Sequence, residues 1–135
     1  MPVQFVDDLG TFLQTQGHGT LGTDLFKGSA PDRDDGSLDN VITITDTGGL
    51  ANVLNEKGAA YEEITVQIRA RNKRQEKARD SLLSIQDELH QLSDSDLGTF
   101  TLVRGLAVDR PAVIGRDEKE RWNLVSNYEF LVRLS

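Results

Sequence analysis

A change of hydrophobic period within residues 61–92 constrains the fold of this chain more than any other feature. Between residues 64 and 70 the apolar side chains alternate, Ile64, Val66, Ile68 and Ala70, with Thr65, Gln67, Arg69 and Arg71 on the other side. Period two describes a strand with one buried face. From Ala78 the apolar positions become Ala78, Leu82, Ile85, Leu89 and Leu92, spaced four, three, four and three. They form one stripe along a helix. The segment therefore reads as strand, short polar turn and amphipathic helix, and both apolar faces are covered if the helix lies back on a sheet.

The other periodic segments supply the rest of that sheet. Phe5, Val6, Leu9, Phe12 and Leu13 make an apolar stripe over residues 3–15, with Pro2 at the start, Asp7 and Asp8 complementing the helix dipole, and Gly17 at the end. Residues 25–28 read as a short strand, and the β-branched run 41–45 as another, closed by a turn at 46–49. Residues 50–60 show no period and read as a link. Residues 93–96 read as a polar break after the second helix. Strands follow at 100–104 and, interrupted by Pro111, within 106–115 as an edge or bend. A charged turn at 116–121 leads into the longest alternation, Trp122, Leu124, Ser126, Tyr128, Phe130, Val132 and Leu134. The expected fold is α+β in the order α-β-β-β-α-β-β(-β), one mainly antiparallel or mixed sheet packed with two helices. The length, 135 residues, suits a single domain over 1–135.

Composition narrows the chemistry. There is no cysteine, so neither disulfides nor thiolate metal sites are available. No apolar run spans a bilayer, and the N-terminus has no signal-peptide pattern, so no membrane association is expected. His18 and His90 are the two histidines, and no nucleophile–base, zinc-ligand or phosphate-loop pattern surrounds them. The acidic run at Asp32, Asp34 and Asp35 lacks the ligand spacing of a calcium loop. No catalytic residue, cofactor or metal is assigned, and His90 is read as serving the C-terminal dipole of its helix. The net charge of −7 opposes wrapping of nucleic acid. Against this, Arg69, Arg71, Lys73, Arg74, Lys77 and Arg79 form a basic run. It reads as a solvated helix start balanced by Glu76 and Asp80, as a patch for an acidic partner, or as a phosphate-binding surface. Within it Arg69, Arg71, Lys73 and Arg74 are the candidate subunit or partner contacts. Trp122, Tyr128 and Phe130 alternate in a strand and read as core rather than as partner anchors.

Several short segments in order resemble the small minor-capsid and tail-terminator proteins of tailed bacteriophages. They are residues 19–26 after a first helix, Pro31, the strand and double glycine of 41–49, and the strand 66–71 followed by the helix carrying Ala78 and Leu89. The similarity covers about residues 5–92. It implies a structural virion protein without catalysis, assembled in the host cytoplasm and placed in the tail or neck. A tail terminator forms a homo-oligomeric ring, usually a hexamer, that caps the tail tube and contacts a head connector or stopper protein. Genomic DNA passes through the lumen without specific binding. The resemblance leaves open another neck position, such as a head-completion, stopper or minor capsid protein. In a ring, residues 25–28, 41–45 and the C-terminal strand are the expected exposed edges, and the 32–39 loop with Asp117 and Glu118 the candidate lumen acids.

Overall fold

A computed structural model describes residues 4–54 and 60–134. The expected order is observed with one further strand: α1 (Phe5–Thr15), β1 (Leu25–Lys27), β2 (Val41–Leu54), β3 (Ala60–Asn72), α2 (Gln75–Leu89), β4 (Ser93–Asp96), β5 (Phe100–Ala107), β6 (Ala112–Arg116) and β7 (Trp122–Leu134). Pro2 and Val3, read as the helix start, lie outside the described residues. The strands form one mixed sheet in the order β1-β2-β3-β7-β5-β4, with β6 also paired to β7. Among the described strand pairs β1–β2 alone is parallel.

The alternation in β3 and β7 sets the register. Ile64, Val66, Ile68 and Ala70 stand opposite Phe130, Tyr128, Ser126 and Leu124, so the apolar sides of the two central strands coincide. Ile42 and Ile44 of β2 continue the row opposite Ala70 and Ile68. Both helices cover this face: Leu9 and Leu13 of α1, and Ala78, Leu82, Ile85 and Leu89 of α2, join the strand residues in one buried cluster. The result is two layers, helices on one side of the sheet and, on the other, a face that no described helix covers and that the loop between β1 and β2 overlaps at Arg71.

An aromatic cluster ties α1 to the sheet. Phe5 meets Phe130 at 5.1 Å between ring centroids and Phe100 edge-on at 5.8 Å. Tyr128 stacks on Phe130 at 5.8 Å. These rings are core, as their alternation requires, and Trp122 packs part-buried against the same cluster. Burial pushes the Tyr128 phenol up to about 12, with Ser126 beside it pulling the other way. Asp8 adds a polar tie across 92 positions, its carboxylate accepting the Phe100 backbone N–H at 2.9 Å.

Three expectations change. The turn expected at 46–49 is a bulge. The register against β3 shifts between Asp46 and Gly48, Gly48 has a φ of +112°, and the Asp46 carboxylate accepts the Gly48 N–H at 2.8 Å. Gly48 absorbs the extra residue, so β2 runs on to Leu54 opposite Ala60 rather than ending. The polar break at 93–96 is the edge strand β4, paired to β5. An edge strand that buries almost nothing carries no hydrophobic alternation, so its sequence gives no strand signal. The C-terminal strand offers no free edge, because β3 lies on one side of it and β5 and β6 on the other. The sheet edges belong to β1, β4 and β6, and β2 is covered by β1 only over Ile42, Thr43 and Ile44.

Gly105 marks the tightest passage between the layers. A Cβ there would sit 2.8 Å from the Leu89 carbonyl oxygen and 3.0 Å from the Phe130 ring. The same residue exchanges backbone hydrogen bonds with the segment after α2, accepting from Gln91 and donating to Leu92. Gly105→Ala is expected to destabilise by about 1–3 kcal/mol through overpacking, read as a lower urea midpoint with an unchanged slope.

Candidate functional site

The uncovered sheet face holds a shallow groove of about 370 Å³ bounded by Gly28, Ser29, Thr43, Thr45, Gln67, Arg69 and Arg71. A second depression of about 360 Å³ continues it across Arg69, Arg71 and Asn123 to Ile114 and Arg116. The strand period places these side chains here: the residues between the buried positions of β3 necessarily point away from the helices. Ile114, which lines the second depression, is an exposed apolar residue.

The four candidate contact residues lie near this face but differ in what holds them. Arg69 is exposed and makes no hydrogen bond or ion pair among the described residues. Arg71 turns inward, and its Nη2 donates to the carbonyls of Pro31 and Leu38. Burial, with the nearby Arg121 charge second, lowers it below the ordinary arginine value. Lys73 donates to the Lys119 carbonyl at 3.0 Å and lies 3.8 Å from Asp39. Arg74 is paired with Glu76, its near neighbour, as expected of a solvated helix start. The basic run is therefore not one continuous free patch, and Arg69 is its open member on the sheet face.

Sequence reasoning missed the main electrostatic feature beside the groove. Arg121 is buried, 5% exposed, and its guanidinium bonds Asp32 through both terminal nitrogens at 2.8 and 3.1 Å, Asp117 at 2.8 Å and Asp39 at 3.3 Å. Lys119 adds bonds to Asp32 and Asp34 at 3.1 and 3.2 Å. This network clamps the loop between β1 and β2 onto the β6–β7 turn. Hydrogen bonds from Arg121 first, then from Lys119, hold the Asp32 carboxyl well below the usual carboxylate range. Burial raises Asp117, but the Arg121 backbone N–H and guanidinium outweigh it and leave it below its ordinary value. The acids named as lumen candidates are thus largely engaged within the chain. Both segments read as solvated because their partners lie more than 80 positions apart; opposite charges at such separation carry no local signal.

The histidines are separate from each other and from the groove. His18 Nε2, in the loop after α1, lies 3.6 Å from the Glu88 carboxylate of α2 without a hydrogen bond. His90 uses Nδ1 to accept the Ala107 backbone N–H at 3.0 Å, so it fastens β5 rather than attending only to its own helix end. Among the described residues no three His, Asp or Glu side chains are grouped to hold a metal ion. No described helix is long and apolar enough to cross a membrane.

The fold is found in a solved structure, a chain of the "Virion of native gene transfer agent (GTA) particle". It superposes with a TM-score of 0.66 at 13% identity, over 93% of this chain and 93% of that one. A search of curated proteins gives no match. A family model described as bacteriophage tail terminator protein matches residues 12–133, which takes in nearly the whole of the described sheet, all of α2 and the end of α1. This chain therefore belongs to the bacteriophage tail terminator protein family and is a phage structural protein.

Proposed function

We propose that the protein acts as a tail terminator: copies close into a ring, six in number, that caps the tail tube and offers its far side to a head connector or stopper protein. The observation that carries this reading is the family match over residues 12–133, which takes in both layers of the fold. The architecture supports it. Short edge strands and an uncovered sheet face are surfaces through which unlike faces of identical copies meet, and such contacts close around an axis. The role is structural and needs no catalysis, cofactor or metal. The net charge of −7 suits a lumen that passes genomic DNA without retaining it, because like charge repels phosphate. Arg69 is the foremost subunit contact, while Arg71, Lys73 and Arg74 contribute by shaping the groove and the start of α2. The protein resides in the virion at the tail or neck after assembly in the host cytoplasm.

Native mass spectrometry and negative-stain microscopy test this directly. A ring is expected, either alone or on addition of purified tail tubes, and the protein should bind tube ends before it binds heads. Protein that stays monomeric with and without tubes overturns the reading. Binding to heads but not to tubes assigns it to a different neck position.

A further inference from the structure

We infer that the acidic outer side of α2 and β4 in one copy seats in the arginine-lined groove on the open sheet face of the next. This rests on the ring reading above and names the two surfaces that meet. The first surface is cationic on an otherwise acidic chain. Arg69, Arg71 and Arg116 border the two depressions, Arg116 lying over the Trp122 ring and 3.9 Å from Glu120; the single carboxylate among the linings is Asp117, already bound to Arg121. A guanidinium such as Arg69, exposed and unpaired among the described residues, is built to take a carboxylate through two parallel N–H bonds. Exposed Ile114, which lines the second depression, would shed water on docking and strengthen such pairs.

The second surface lies on the opposite layer. Beyond the basic start of α2 at Lys77 and Arg79, the row Asp80, Ser84, Asp87 and Gln91, spaced four, three and four, is exposed along α2 and the residues just after it, because the apolar stripe of Ala78, Leu82, Ile85 and Leu89 faces the sheet. Asp94 and Asp96 extend the negative charge along the exposed edge strand. Asp80, Asp87 and Asp94 have no ion pair among the described residues. Two like surfaces would repel, acid against acid or arginine against arginine, so a symmetric pair is disfavoured and the contact joins unlike faces. Each added copy then keeps one free groove and one free acidic side. A heterologous contact of this kind propagates until rotation closes it.

Charge exchange tests the assignment. The sites are exposed and helical or extended, so Arg69→Glu and the double variant Asp80→Arg with Asp87→Arg are expected to keep the wild-type circular dichroism and melting point. Each should raise the concentration needed for assembly on the order of 100-fold, since like charges are brought face to face. The variant carrying all three changes should return to within about tenfold of wild type, and wild-type assembly should weaken as salt is raised. Rings that persist unchanged in both variants, or a triple variant no better than either parent, overturn this inference while leaving the ring reading intact. Intact rings with lost tube binding give the groove to another protein and also overturn it. A wild type that never assembles overturns the ring reading itself.

Discussion

Phe130→Ala is expected to cost about 3–5 kcal/mol of stability, the largest effect of any single truncation in this core. Phe130 is 1% exposed and is the ring shared by two pairs, against Phe5 of α1 and Tyr128 of its own strand. It also walls the narrow passage beside Gly105. Alanine leaves a cavity that close packing on three sides cannot refill. For a chain of this length the melting temperature should fall by roughly 10–20 °C. The loss should also be local. Phe5 anchors the start of α1, so amide exchange in α1 is expected to rise ahead of that in β3 and β7. A melting temperature within a few degrees of wild type, or α1 protection unchanged, contradicts the docking of α1 described above.

Arg121→Met tests the clamp on the loop between β1 and β2. Methionine fills the space but leaves Asp117 without a cation and Asp32 and Asp39 with only the outer lysines Lys119 and Lys73. Removing one partner of a buried pair typically costs 3–5 kcal/mol. Asp32 is about two-fifths exposed, so solvent screening reduces the expected loss to about 2 kcal/mol. Its pH dependence identifies the cause. The folded-state values of Asp32 and Asp117 lie below the ordinary 3.8, so their stabilisation is fully present above the unfolded value. It disappears as pH falls through the depressed folded values. The gap in melting temperature between wild type and variant should therefore be constant near neutral pH and narrow only below about pH 4. A gap that widens in acid, or none at neutral pH, would show that the clamp does not act through these carboxylates.

Much of the fold was legible in particular residues. The alternation of Ile64, Val66, Ile68 and Ala70 and that of Trp122 to Leu134 named the two central strands and their buried sides. The four-three spacing from Ala78 named α2 and its inward stripe. β4 was not legible, because a Ser-Asp-Ser-Asp edge strand is held by backbone bonds to β5 and buries little. The continuation of β2 was hidden by Gly48, which looks like a turn residue whether it ends a strand or bulges it. At the candidate site, the outward direction of Arg69 and Arg71 followed from period two alone. That Arg71 and Lys73 serve the loop, while Arg69 stays open, did not follow.

Local periodicity and composition, then, were enough to say which residues form most strands and helices, which sides are buried, and that the chain is an acidic α+β protein. Strand order, the central place of β7, and the meeting of Arg121 with Asp32 from 89 positions away were decided only in three dimensions. The reason is physical. Burial of a side chain depends on its near neighbours in sequence through the period of the backbone. Pairing of strands and of charges depends on the path of the chain through space, which no short window of residues encodes.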